Sequence, residues 1–313
     1  MPNPKELRLP EELLLAGAGV KSGLFAALRD GPRPLAEVAE AIGAHRGALE
    51  RVVDALAQLG YLELADGSVG LTVAARRMFY DPESEEYAGF AFMHAYSRLR
   101  TWLALPEVIR TGTAPPKKHS PERLRYLMDA MREHARQVAP AVVNLCLEGL
   151  SLPLRLLDLG GGPLNYAVPF ARRGVAVTVQ DIPEVVELMR PAVPPGLDIR
   201  MVSGDFNAAV APGPYEVAFL GNITHIYGPD ENRALFARVA HELVPGGRIV
   251  ILDYVRGLST RAPCLGLNML VSSVSGGVWK VEEYTSWLTQ AGFEPPVVRS
   301  IDDRQVLVAH RKP

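Results

Sequence analysis

The sequence predicts an α/β protein: a mostly parallel, Rossmann-like sheet of seven strands, preceded by a helical N-terminal region that ends in a β-hairpin. Three observations carry this reading. From Arg155 onward, short apolar runs alternate with helical patterns, as in a parallel sheet built from strand-helix-strand units. The first of those runs, "LLDLGGG" (156–162), ends in a glycine turn. Earlier in the chain, "VKSGLFAAL", "LAEVAEAIG" and "GALERVVDALAQLG" place apolar residues at three- and four-residue spacing, the period of amphipathic helices.

Those three helical patterns are followed by "YLELADGSVGLT", whose two short alternating runs around Asp66-Gly67 read as a hairpin. Helix, helix, helix, hairpin is the winged-helix order, and it assigns residues 1–82 to one domain. The third helix sets Arg46 and Arg51 against Glu50 and Asp54, and the wing carries Glu63 and Asp66. Without excess positive charge the electrostatic part of DNA affinity is missing, so the domain reads as a dimerisation unit. Residues 83–150 form a second helical stretch, with "FAFMHAYSRLRTWLALPEVI" and "RYLMDAMREHARQVAPAVVNLCLEGL" separated by the turn-rich "TGTAPPKKHSP". Its aromatics and methionines belong to core, or line one wall of an apolar pocket.

Residues 151–313 make the sheet domain, with strands expected at "RLLDL", "VAVTVQ", "DIRMVS", "YEVAFLG", "GRIVILDY", "VVRSI" and "QVLVAH". Helices are expected near Pro163 to Arg173, Glu184 to Met189, Asp230 to Leu243 and Glu282 to Ala291, the last closed by Gly292. Composition sets the outer bounds. The 313 residues carry a formal net charge of -2, 48% apolar and 22% charged residues, which suits a globular protein acting on small molecules. Nucleic acid and membrane are not expected partners. Cys146 and Cys264 fit no metal-ligand spacing and read as buried thiols, so no metal is expected. No signal-like start or span-length apolar run is present, so the cytoplasm is the expected location.

Ligands of an open parallel sheet bind beyond the carboxyl ends of its strands. Asp158, Asp181 and Asp205 close or follow the first three strands there. The glycine turn lacks both a phosphate-holding lysine and the GxGxxG spacing. Asp181 lies about twenty positions beyond the turn, where an acidic residue accepts two hydrogen bonds from a ribose diol. A nucleoside without a triphosphate is therefore expected, and S-adenosylmethionine fits: ribose on Asp181, adenine amine on Asp205, and the aminoacid part beside Gly160, Gly161 and Gly162, where backbone approaches closely.

With "LLDLGGG", "VTVQDIPEVVE", "GDFN", "NITHIYGPDEN", "PGGRIVILD" and "QAGF" in this order behind a winged helix, the chain resembles the dimeric small-molecule O-methyltransferases, the family of caffeic acid and hydroxyneurosporene methyltransferases. The resemblance covers almost the whole chain. It implies a homodimer formed through the N-terminal domain, and a cofactor site that includes Ile182 and Gly221, with Phe206 beside the adenine and Tyr227 replacing the usual tryptophan there. His225 matches the family's general base, and imidazole is the side chain suited to drawing a phenolic proton near neutral pH. Asp253, at the end of the next strand, is placed to orient the ring. His94, His119, His134, His241 and His310 lie away from these strand ends and read as structural.

The chain also departs from the family pattern. The last small residue of the glycine turn is Leu164, which is expected to narrow the cofactor pocket. Trp279 stands where the family has a glutamate that supports the base. It either closes an apolar substrate pocket with Met131 and Met269 or marks a site that has lost methyl transfer. The expected activity is thus methylation of a hydroxyl on an apolar aromatic or polyene compound. The alternative is another reaction, such as hydroxylation or decarboxylation, or none, on the same cofactor-binding fold; a winged-helix transcription regulator is disfavoured by charge.

Overall fold

The computed structural model describes residues 9–115 and 120–313; His119 and the middle of the "TGTAPPKKHSP" turn lie outside the described residues. These divide into two compact units, one ending at Arg98 and one running from Leu99 to Pro313.

The first unit begins with α1 (Glu11–Lys21) and α2 (Leu24–Ala27). The sequence pattern predicts one helix across their neighbouring ends, but Gly23 takes φ +83° and breaks it. β1 (Arg33–Pro34), α3 (Leu35–Ala41) and α4 (Arg46–Gln58) follow, then the hairpin β2 (Leu62–Ala65) and β3 (Ser68–Leu71) and helix α5 (Val73–Tyr80). β1 adds to the hairpin, giving an antiparallel sheet in the order β1-β3-β2. His45 caps α4 by accepting the Ala48 N–H at 3.3 Å. The apolar faces meet in a core of Leu24, Phe25, Val38, Val53, Leu56 and Phe79, with the Phe25 and Phe79 rings 5.1 Å apart.

α6 (Phe92–Leu103) crosses the division between the units, and α7 (Leu105–Thr111), α8 (Pro121–Ala135) and α9 (Ala139–Leu147) lead into the sheet. Its elements are β4 (Arg155–Leu159), α10 (Ala167–Arg172), β5 (Ala176–Asp181), α11 (Pro183–Met189), β6 (Ile199–Ser203), β7 (Tyr215–Gly221), α12 (Pro229–Glu242), β8 (Leu243–Asp253), α13 (Ala262–Ser272), α14 (Val281–Gln290), β9 (Val297–Ile301) and β10 (Arg304–His310). The strand order is β6-β5-β4-β7-β8-β10-β9. All pairings are parallel except those of β10, which runs antiparallel to β8 and β9. This is the sheet the sequence predicts, with all seven strands in place.

Alternation along the strands builds a core on each face. Leu156, Val250, Leu252 and Val306 join Val142 and Phe170 on one side. Leu157, Ile249, Ile251 and Leu307 join Leu235, Phe236 and Trp287 on the other. Two expectations are corrected. Cys146 is buried as expected, but Cys264 is exposed, because it sits near the start of α13, a helix that the sequence pattern does not predict. That helix is apolar throughout rather than on one stripe, so no clear period marks it. β8 also begins earlier than expected, since Leu243 already pairs with Tyr215 and the pairing resumes in shifted register at Val217.

Candidate active site

The strand order reverses between β4 and β7, where the chain leaves β4 in one direction for β5 and later returns to β4's other edge. The glycine turn lies at that point. Gly160 adopts φ +69°, and a Cβ there would stand 2.1 Å from Ile223 and 3.9 Å from Phe206. A Cβ on Gly161 would meet the Asp158 carboxyl at 2.2 Å, and one on Gly162 would meet Val185 at 2.0 Å and an Asp181 oxygen at 2.6 Å. Close approach of side chains to backbone therefore requires glycine at each of the three positions.

Asp181 ends β5 with both oxygens ordered by backbone: Oδ2 accepts the Gly162 N–H at 3.0 Å and Oδ1 the Ile182 N–H at 2.8 Å. Burial raises its pKa, and those two hydrogen bonds work against the rise. Each oxygen keeps a free lone pair, the arrangement that accepts two neighbouring hydroxyls. Ile182 beside it is an exposed apolar side chain. Asp205 is exposed and accepts the Asn207 N–H at 2.8 Å, while Phe206 is buried and meets the Tyr227 ring edge-on at 5.9 Å. Burial raises the Tyr227 phenol, Asn207 bonds to it, and the charges of Asp205 and Asp181 both reach it. Asp181, Asp205, Phe206 and Tyr227 thus share one neighbourhood, and Gly160 joins it through Phe206. Gly221 is the last residue of β7, where a Cβ would press on Phe219 at 2.8 Å.

Among the described residues, three polar atoms beside the turn are buried without a hydrogen-bond partner: Asp158 Oδ2, Asn165 Oδ1 and the Tyr166 hydroxyl. Burial, then the Asp181 charge, lifts the Asp158 carboxyl well above the usual range. In the sequence Asp158 is marked only as a strand end, although its place directly before the glycines is a usable signal. Leu164 takes φ +62°, is buried in the core with Phe170 and Val185, and lines a groove of about 480 Å³ with Asn165, Arg132 and Arg136.

His225 lies in a 3-10 turn, Thr224–Ile226, just beyond β7. Its Nδ1 meets Asp253 Oδ1 at 2.7 Å. The same carboxylate accepts the Tyr254 N–H at 2.8 Å on Oδ1, and on Oδ2 the Thr224 hydroxyl at 2.6 Å and the His225 N–H at 3.2 Å. Asp253 is fully buried, which by itself raises its pKa; the His225 charge and these hydrogen bonds outweigh burial and hold it below the ordinary carboxylate value. A carboxylate only accepts, so Nδ1 carries a proton, and whenever the ring is neutral the lone pair is on Nε2. The carboxylate thereby fixes the orientation and the neutral tautomer of the ring.

The turn that carries His225 is itself braced. Buried Asn232 on α12 donates to the carbonyls of Thr224 (2.9 Å), Tyr227 (3.0 Å) and Gly228 (3.1 Å). Gly277 N–H donates to the His225 carbonyl at 3.0 Å. Trp279 packs 5.5 Å from Trp287 and gives its indole N–H to the Thr224 carbonyl at 3.0 Å. Met131 is half-buried on α8 and Met269 is buried on α13, which packs against the His225 turn. The three expected substrate contacts thus stand on three separate elements, and none of them lines the groove beside Leu164.

Residues 111–294 match the O-methyltransferase domain family. The chain is 27% identical to the tetracenomycin polyketide synthesis 8-O-methyl transferase of Streptomyces glaucescens, across 95% of this chain and 92% of that one. It is also 27% identical to 3-hydroxy-5-methyl-1-naphthoate 3-O-methyltransferase of Streptomyces sahachiroi, across 88% and 84%. The fold superposes on human N-acetylserotonin methyltransferase in complex with SAM with a TM-score of 0.75 at 22% identity, covering 97% of this chain and 94% of the human one.

Proposed function

The chain belongs to the O-methyltransferase family, and from that premise we propose that it transfers a methyl group from S-adenosylmethionine to a hydroxyl of an apolar aromatic or polyene small molecule, with His225 as general base. One observation carries the proposal: an imidazole held through Nδ1 by a buried carboxylate stands at the strand ends that also gather the glycine turn and Asp181.

The residues suit this cofactor. Asp181 receives the ribose diol on its two free lone pairs, Asp205 the adenine amine, and Ile182, Phe206 and Tyr227 supply apolar and aromatic surface for the base. Gly160, Gly161, Gly162 and Gly221 leave room along the backbone. When bound, S-adenosylmethionine supplies an electrophilic methyl on a sulfonium. The protein's part is alignment, exclusion of water, and removal of the acceptor's proton by His225 Nε2. Asp253 stays ionised and stabilises the imidazolium that results. Among the relatives, one is named for a hydroxynaphthoate and another for a polyketide, which supports an aromatic hydroxyl here. Met131, Met269 and Trp279 are assigned to the acceptor side.

For the N-terminal unit we propose a winged-helix dimerisation role. Leu59, Leu64 and Val73 leave apolar surface exposed on it, which a second copy would cover. Calorimetry with S-adenosylmethionine and S-adenosylhomocysteine tests the cofactor assignment. The expected result is saturable binding; no heat from either compound at roughly millimolar concentration ends the proposal.

A further inference from the structure

Among the described residues His225 meets a single carboxylate, yet Asp253 is more heavily bonded than one imidazole requires. Behind it runs a buried line of hydroxyls. Tyr284 on α14, 1% exposed, lies 2.6 Å from Thr224 Oγ1, and Thr224, fully buried, lies 2.6 Å from Asp253 Oδ2. Counting donors and acceptors fixes the direction of this line. The carboxylate only accepts, so the one hydroxyl proton of Thr224 points to Asp253. Thr224 Oγ1 is then left as an acceptor, and Tyr284 must donate to it.

From this geometry we infer that Thr224 and Tyr284 are positioning residues for the His225 base, forming a donor chain that holds Asp253 ionised. The inference rests on the proposed role of His225. Each hydroxyl polarises the next, so the chain strengthens the bond at the carboxylate end. Asp253 is then free to use Oδ1 for the imidazole. The chain also solves a local problem: a carboxylate with no exposed surface has no water to solvate it, and its second oxygen needs donors from the protein.

The neighbours of Asp253 leave few other sources of charge. His225 and Thr224 face it from the 3-10 turn, and the Tyr254 N–H from its own strand. On α14, Tyr284 has Glu283 nearby, and Glu283 is paired with Arg256 at 3.2 Å. Across the sheet on β10 its partner is uncharged Gln305, and α13, which packs on the turn, carries no charged side chain.

The test uses the full chain with aspartate carboxyls labelled in carbon-13, and variants Thr224→Val, Thr224→Ser and Tyr284→Phe. Following Asp253 by NMR needs no acceptor, so this readout decides the inference even if His225 proves not to be a base. The expected titration of Asp253 moves up by about one pH unit in Thr224→Val, returns in Thr224→Ser, and moves by a smaller step in Tyr284→Phe. If methyl transfer is found, kcat falls about tenfold in Thr224→Val with unchanged affinity for S-adenosylhomocysteine, and adding Tyr284→Phe costs nothing further. An Asp253 signal as ionised in Thr224→Val as in the wild type throughout the folded pH range overturns the inference, as does failure of Thr224→Ser to restore it. Should Thr224→Val not fold, Tyr284→Phe, which removes one oxygen, decides in its place: an upward step in the Asp253 titration supports the chain, and an unmoved titration overturns it. Loss of transfer in every form including wild type refutes the proposed function alone.

Discussion

Gly162→Ala tests the cofactor site at its tightest point. The new methyl would stand 2.0 Å from Val185 Cγ1 and 2.6 Å from Asp181 Oδ2, where ordinary contacts need more than 3.4 Å. Val185 is 3% exposed in the core under α11 and has little room to retreat. The Val185 contact therefore pushes the turn backbone away, and Asp181, at the end of a rotatable side chain, gives way as well. Doing so breaks its 3.0 Å bond from Gly162 N–H and turns its oxygens away from the diol position. Two hydrogen bonds to a charged group are then lost from the complex, each worth about 1.5–3 kcal/mol, part of which returns as the carboxylate finds water. A net loss of about 2–4 kcal/mol corresponds to roughly 30- to 1000-fold in Kd. Overpacking should cost the fold only about 1–3 kcal/mol, so the variant remains folded and its affinity can be measured. Titration calorimetry with S-adenosylhomocysteine reads the change. Affinity within about twofold of wild type would refute the argument, because it would mean that the ligand does not use the Asp181 geometry.

Leu164 sits buried at φ +62°, so Leu164→Gly relieves backbone strain that Leu164→Ala keeps, and urea denaturation should find the glycine variant more stable than the alanine variant by about 1 kcal/mol, against the usual order. Asp158 has a folded pKa raised by burial, so its stability contribution is complete below the unfolded value of about 3.9 and is lost as pH climbs toward the folded value. Asp158→Asn should therefore gain stability over wild type at pH 8 relative to pH 5, and an unchanged difference at the two pH values would contradict the assignment. Asp253 has a folded pKa below its ordinary value, so its contribution is present above about pH 4 and is lost on further acidification; Asp253→Asn should flatten acid unfolding in that window. Light scattering should find a dimer whose association survives removal of cofactor, and a monomer at high protein concentration would remove the dimerisation role from the N-terminal unit.

The sheet is legible in the sequence because each strand is a short branched apolar run with a turn on either side, and burial on both faces demands that composition. The acids Asp181 and Asp205 are legible for a related reason: strand ends are countable from the glycine turn. Other features have no such ruler. α13 lacks a polar face, and the first predicted helix hides a break at Gly23 that only its dihedral reveals. The donors behind Asp253 come from a threonine beside His225 and a tyrosine sixty residues later, and nothing in their spacing says that α14 returns over the turn. Trp279 stands out in the sequence as a departure from the family pattern the chain resembles. In the fold its indole N–H holds the Thr224 carbonyl, a use that depends on the loop before α14 lying against the turn.

Methyl transfer with His225 taking the acceptor's proton is measured directly as turnover of radiolabelled methyl donor against a panel of hydroxylated aromatics and polyenes, for wild type and His225→Ala side by side. The wild type should methylate a member of the panel, and His225→Ala should bind S-adenosylhomocysteine equally well but turn over about 10²- to 10⁴-fold more slowly, with Asp253→Asn losing less. Equal turnover by wild type and His225→Ala would contradict proton removal by His225, since alignment alone would then account for the transfer.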